Sequence, residues 1–341
     1  MLLLAWLLYR IGATALVRSL ADVGWGFLLV VGLQVVAIVP NAMAWRRMLP
    51  PEHRAAAPLP AIAAMLLAGD AINAVTPSAV VGGELVRVSL LRRRVPIATA
   101  VGSTALAATA QVFAQLLFVL AGVPVAIALI PDGAFRGALL SLAALAFAAL
   151  ALLIGILRSR GGWTALRRWL DRVGWWRALR RNREASWRAL ADATLGALRR
   201  RPGDFALSVA LYGAGWLVGA VEVLLILSLL HVPVGWRQAF AIEALSVAIE
   251  GVFFFVPAKM GTQEGGKYLI FHVLRLDPAR GIALGFVRRL RELVWAAVGL
   301  VLLGIAQRRG AGAHAGPAST TGATLAGEAP LLRRTGSGDE A

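Results

Sequence analysis

The sequence predicts an all-α polytopic membrane protein, with about six full spans and two re-entrant broken helices arranged as an inverted repeat. Three observations carry that prediction. Of the 341 residues, 59% are hydrophobic and 36 are Gly, an apolar-plus-Gly share of about 70% where globular domains have about 45–50%. Charged residues are only 16%, against about 25% in soluble domains, so one water-soluble core cannot hide the apolar surface of this chain. Apolar runs long enough to cross a bilayer, about 20 residues each, recur along the chain. Two shorter runs end in breaks that carry matching charges at one fixed offset.

Taken in order, the run from Leu2 to about Leu20 is interrupted by Arg10 and Arg18 and reads as a poor first span. A cleavable signal peptide is its rival, but no clear small-residue cleavage site follows. Trp25–Trp45 is cleaner, and its two tryptophans stand about 30 Å apart on a helix, the spacing of an aromatic belt at each interface. Ile97–Ile130 is long, hence tilted or extended. Ala138–Leu157, Phe205–Leu230 and Ile282–Gln307 complete the full spans. Ala61–Val75 and Ala239–Val256 each stop at a Pro and a Gly-rich turn, and these are the broken helices.

Charge location sets the orientation. The chain has 35 basic and 18 acidic residues, net +17, and Lys259 and Lys267 are its only lysines. Arg46, Arg47 and Arg54, the Arg92–Arg94 triplet, 13 Arg within 158–201 and Arg308-Arg309 lie in alternate links, which the positive-inside rule makes cytoplasmic. Both chain ends are then inside. Segment 58–95 must enter and leave from the cytoplasm, and 237–280 from outside. Within 158–203, Trp163, Leu166, Leu170 and Val173, then Trp187, Leu190, Thr194 and Leu198, recur at helical spacing with Arg between them. That pattern suits cytoplasmic interfacial helices on anionic lipid headgroups. Nucleic-acid binding is the alternative for so many Arg, and Trp on the opposite face favours lipid. Residues 310–341 read as a disordered tail, so the membrane domain is 1–309 and no soluble catalytic domain is expected after it.

Cys is absent, which removes disulfides, thiol catalysis and Cys-ligated metals. His53, His231, His272 and His314 have no metal-ligand spacing. No metal and no cofactor are expected.

The repeat is the most informative pattern. Asp70, Pro77, Glu84 and Arg87 mark the first break, and Glu250, Pro257, Glu264 and Lys267 mark the second. Each second member is its counterpart displaced by 180. Gly82-Gly83 crowds one break, and Gly261 with Gly265-Gly266 crowds the other. The Trp25 span displaced by 180 falls on the Phe205 span, so repeat one is about 25–130 and repeat two about 205–309. Three crossings separate the two starts, which inverts one unit against the other. Gly/Pro-interrupted segments at matching places in inverted repeats point to a transporter's binding site, because unpaired backbone groups at membrane depth are tolerated only in a cavity or buried in protein.

Charges inside such segments are costly, about 2.5–3.5 kcal/mol each near the bilayer centre. Asp70, Glu84, Glu250, Glu264, Glu222 and Glu243 are all of this kind. Either they cap half-helices and pair with a nearby Arg, or they serve a site; Glu222 and Glu243 have no repeat partner and are the weaker candidates. The last span contains Arg288, Arg289, Arg291 and Glu292. Arg288 and Glu292 stand at i,i+4, so one internal ion pair is available, while Arg289 and Arg291 project elsewhere and need partners, with Glu250 or Glu264 as the candidates. The alternatives for these Arg are snorkelling to the interface and a cationic lining for lipid phosphate.

The stretch Phe253-Phe254-Phe255-Val256-Pro257-Ala258-Lys259-Met260-Gly261-Thr262-Gln263-Glu264-Gly265-Gly266, followed by Val287-Arg288-Arg289-Leu290-Arg291-Glu292-Leu293, resembles the flippase-like family. That family comprises the membrane region of lysylphosphatidylglycerol synthases and its stand-alone relatives, and the hopanoid-biosynthesis-associated membrane proteins are the subgroup most similar. Thr76-Pro77 with Gly82-Gly83-Glu84-Leu85-Val86-Arg87 is similar to the family's Pro-then-Gly-Glu-Arg element. The resemblance covers about residues 1–309. It implies a bacterial inner-membrane protein that moves an anionic, aminoacylated or hopanoid-type lipid, without the soluble synthase domain of the larger relatives. Lys259 departs from the small or apolar residue expected there, which implies a different substrate preference.

The expected function is lipid translocation, with membrane lipid as the substrate and a cavity between the two breaks. Asp70, Glu84, Glu250 and Glu264 would relay protons or hold a cation; Arg87, Lys267, Arg288, Arg289 and Arg291 would bind phosphate. Further partners are expected to be an oligomer or a lipid-modifying enzyme, not nucleic acid. A non-transporting scaffold of a lipid-modification pathway is the alternative, and an intramembrane enzyme comes third because no nucleophile–base pair is visible.

Overall fold

In the computed structural model, the residues described are 23–75, 81–130, 133–159, 196, 200–252 and 262–314, without the side chains of 81, 134, 262–264 and 309–314. Nine α-helices are described: α1 Gly26–Met48, α2 Leu59–Val75, α3 Val81–Leu91, α4 Ile97–Leu129, α5 Arg136–Arg158, α6 Pro202–Leu229, α7 Trp236–Val252, α8 Thr262–Val273 and α9 Pro278–His314. Short 3-10 turns occupy Pro51–His53 and Gly133–Phe135, and the described residues contain no strand. Five helices are long and apolar enough to cross a membrane: α1, α4, α5, α6 and α9. They are the five clean spans read from the sequence. The Leu2–Leu20 run lies outside the described residues, as does most of 158–203. Residues to Leu303 form one compact unit; Gly304 onward forms a second, helical to His314.

Local chemistry explains the helix ends. Pro202 opens α6 and Asp204 lies in its first turn, where a ring-fixed φ and a negative charge both suit the helix start. Arg46 and Arg47 occupy the last turn of α1 and favour its negative end. Helix α4 runs unbroken for 33 residues despite Pro124, about 50 Å, which exceeds the hydrocarbon thickness of about 30 Å and is accommodated by tilt or extension. Both short apolar segments stop where expected, at Val75 and Val252, and a second short helix follows each. Displacing the bounds of α1 to α4 by 180 places them within a few residues of α6 to α9.

Helix α7 sits at the centre: Ala239 and every residue from Ala241 to Ala248 is buried, as expected of a helix enclosed on all sides. It packs on α4, α6 and α8. Gly122 of α4 faces the Cβ of Ala244, so a side chain at 122 would push the two helices apart. Phe118 meets the Phe240 ring edge-on at 5.0 Å. Because lipid is as apolar as a side chain, close packing and interhelical hydrogen bonds hold such helices together. Ser208 Oγ donates to the carbonyl of Ala44 at 3.1 Å, and Trp295 Nε1 donates to that of Val31 at 3.1 Å. Helix α5 is peripheral, burying only Leu139, Ala146 and Leu157 and exposing Leu145, Phe147 and Leu152. One sequence inference changes: Trp25 is exposed but Trp45 is 1% exposed, so the α1 tryptophans do not form a belt at both ends.

Candidate functional site: two charge clusters and a polar cavity

The first cluster is built by α2 and α3. Glycines bring these helices into contact: Gly83 lies against the Gly69 carbonyl, and a Cβ on Gly69 would come within 2.7 Å of Arg87 Nε. The Gly83 amide donates to Asn73 Oδ1 at 2.8 Å. Arg87, buried beneath this contact, uses its two terminal nitrogens separately. Nη2 reaches Asp70 at 2.6 Å and Nη1 reaches Glu84 at 2.5 Å. The sequence-selected Asp70, Glu84 and Arg87 are thus brought together, with Gly83 forming the floor and Gly82 beside it on α3. Asp70 keeps its side chain 61% exposed. Pro77 lies outside the described residues.

The second cluster joins α6, α7 and α9. Arg288 Nη2 lies 2.6 Å from Glu243 and 3.3 Å from Glu222, and it donates to the Gly219 carbonyl at 2.9 Å. Gly219 also makes room for the Glu243 carboxylate, which a side chain there would strike. Arg291 Nε lies 2.9 Å from Glu222, and Arg291 also contacts Gln34 of α1. Arg289 pairs with Glu292 at 3.3 Å. These contacts correct the expected pairing. Arg288 reaches Glu243 and Glu222 rather than Glu292, because one helical turn inside α9 matters less than the carboxylates facing it from α6 and α7. A buried ion left without such a partner costs several kcal/mol, so Glu222 and Glu243, the two acids without repeat partners, are the ones that Arg288 and Arg291 require.

A cavity of about 200 Å³ opens beside this cluster. Its charged lining is Glu222, Glu243, Glu250, Glu292, Lys267, Arg288 and Arg291, and Gln34, Asn41, Gln111 and Tyr212 add polar groups. Lys267 is 2% exposed. The lining draws on α1, α4 and α6 to α9, and no residue of α2 or α3 contributes. Asp70, Gly83, Glu84 and Arg87 are not in the described lining, but Tyr212, which is, lies within electrostatic reach of Arg87, Glu84 and Asp70. Among the described residues the lining is mixed, four carboxylates facing three bases. Arg289 is buried beside the cavity without lining it. Pro257, Gly261, Lys259 and the Glu264 side chain lie outside the described residues.

The residues that sequence reasoning passed over share one signal: they are polar side chains inside otherwise apolar spans. Gln34 and Asn41 in α1 and Gln111 in α4 are of this type, and each lines the cavity. Among the described residues no group of His, Asp and Glu could hold a metal ion. The arrangement can bind and neutralise a small charged group inside a membrane, with cations and carboxylates both offered.

The family model described as the lysylphosphatidylglycerol synthase TM region matches residues 1–300. No curated protein and no solved structure matches the chain.

Proposed function

We propose that this chain, which belongs to the lysylphosphatidylglycerol synthase TM-region family, is a lipid translocator whose headgroup path is the cavity beside α7, α8 and α9. The observation that carries this reading is a cavity lined by seven formal charges in a multi-pass membrane protein. Paired charges at membrane depth are expensive to keep, and a place open to a headgroup gives them a use. About 200 Å³ holds a headgroup but not acyl chains, which would stay in the bilayer. An entering phosphate competes with Glu222 and Glu243 for Arg288 and Arg291. A cationic part of the headgroup is served by Glu250 and Glu292. The cargo class is an anionic, aminoacylated or hopanoid-type lipid, and the setting is the bacterial inner membrane with both termini cytoplasmic.

In this reading the two repeats rock against each other to alternate access, with the Asp70–Arg87–Glu84 cluster of α2 and α3 as the first repeat's counterpart of the charges on α7 to α9. Transport rather than acyl transfer is the activity. The test is reconstitution in liposomes with a headgroup-labelled phosphatidylglycerol and a hopanoid-type lipid. Transbilayer movement should exceed that of empty liposomes and fall at least tenfold with Glu250→Gln or Arg291→Ala. Movement unaltered by both substitutions would remove the site assignment.

A scaffold role is favoured by one observation, the mutual pairing of Arg288 with Glu243 and Glu222. Labelling separates the two readings in this Cys-free chain. Water-soluble thiol reagents should modify Cys placed at Asn41 or Gln111, which line the cavity, in a translocator, and neither in a scaffold.

A further inference from the structure

The chain uses Arg almost throughout: of its 35 basic residues only Lys259 and Lys267 are lysines. Of the three bases lining the cavity, two are Arg and one is Lys267. The distinction is chemical, because a guanidinium stays protonated at any pH a cell reaches, whereas an ammonium can release a proton and bind it again. Lys267 is also the most enclosed of the lining charges, at 2% exposure. Its charged neighbours come from both elements facing it, Glu243 and Glu250 from α7, and Arg288 and Glu292 from α9. Glu222 and Arg291 complete the charged lining.

Building on the translocator reading above, we propose that Lys267 is the proton-carrying residue that couples lipid movement to a proton gradient. With Lys267 protonated, the described lining sets three positive groups against four carboxylates. When Nζ releases its proton to water, the lining keeps Arg288 and Arg291, Arg289 stays paired to Glu292 beside it, and the site loses one positive charge. An emptied cavity in that state holds excess negative charge, which either a returning proton or a cationic part of the headgroup relieves. Occupancy by headgroup and occupancy by proton are then mutually dependent. Arg at this position would keep the charge and remove the exchange.

Two measurements test this. Selective 15N-lysine labelling of the full-length protein in nanodiscs gives two lysine Nζ signals, and Lys259→Arg assigns the one from Lys267. That signal should change from ammonium to amine within roughly the pH 5–10 range over which lysines titrate when their surroundings shift them. An Nζ that stays ammonium throughout overturns the proposal. In proteoliposomes with labelled phosphatidylglycerol, wild-type flux should change at least threefold when a pH gradient is imposed, and Lys267→Arg should show no such response at whatever flux it retains. A gradient response preserved in Lys267→Arg, or absent from an active wild type, also overturns it. Wild-type protein that moves no lipid counts against the translocator reading, while the Nζ titration still decides the role of Lys267.

Discussion

Arg288 offers the clearest energetic test, because its partners are few and named. Its Nη2 is 2.6 Å from Glu243 and 3.3 Å from Glu222, with all three side chains under a tenth exposed. Replacing Arg288 by Met keeps most of the volume and removes the charge. Glu222 retains Arg291 at 2.9 Å, so the loss falls mainly on Glu243, left as a buried carboxylate without its cation. Breaking a buried pair from one side costs about 3–5 kcal/mol. Glu243→Gln removes less, about 1–3 kcal/mol, since Arg288 still has Glu222 and the Gly219 carbonyl. The double variant should then be less damaged than the two losses added together, by about 1–3 kcal/mol. Reversible unfolding in mixed micelles of increasing SDS content measures all four proteins. Strictly additive losses would refute the reasoning, because they would mean that the two side chains do not share a buried interaction.

Other substitutions probe the helix contacts and the first cluster. A Cβ on Gly299 would meet Ala71 Cβ at 2.7 Å, so Gly299→Ala should force α9 from α2 and cost about 1–3 kcal/mol in the same unfolding assay. Arg87→Lys cannot hold Asp70 and Glu84 with two separate nitrogens in a fixed fork; it should lower stability by about 1–3 kcal/mol, and Arg87→Lys/Glu84→Gln should be no worse than Arg87→Lys alone. Asp204 is shared by Arg54 at 2.7 Å and Arg47 at 3.6 Å but is partly exposed. Asp204→Asn should therefore cost under about 1 kcal/mol, a difference that shrinks as salt is raised.

Much of the architecture was legible in the sequence because the membrane imposes a length rule on apolar runs. Spans at α1, α4, α5, α6 and α9 follow from that rule alone, and the ends of α2 and α7 follow from Pro and Gly after Val75 and Val252. Asp70, Glu84 and Arg87 were legible as a group because they lie in two adjacent short helices, where sequence neighbours are also spatial neighbours. The second cluster was not. Arg288 finds its partners on α6 and α7, and no spacing within α9 encodes which carboxylates face it. Ranking acids by repeat membership also misdirected the reading, since Glu222 and Glu243 earn their place from burial around Arg288. Gln34, Asn41 and Gln111 were overlooked as neutral residues in spans, although a buried amide in a membrane needs a polar neighbour as much as a charge does.

Val247 lines the cavity and is 3% exposed, while Leu152 on α5 is 66% exposed on the outer surface of the bundle. The chain contains no Cys, so Val247→Cys and Leu152→Cys each supply one addressable thiol. Lipid flux is measured in proteoliposomes before and after complete modification with a bulky maleimide. If headgroups pass through this cavity, modification at 247 reduces flux to the level of empty liposomes and modification at 152 leaves it unaltered. Undiminished flux through fully modified Val247→Cys protein would contradict a headgroup path through the cavity.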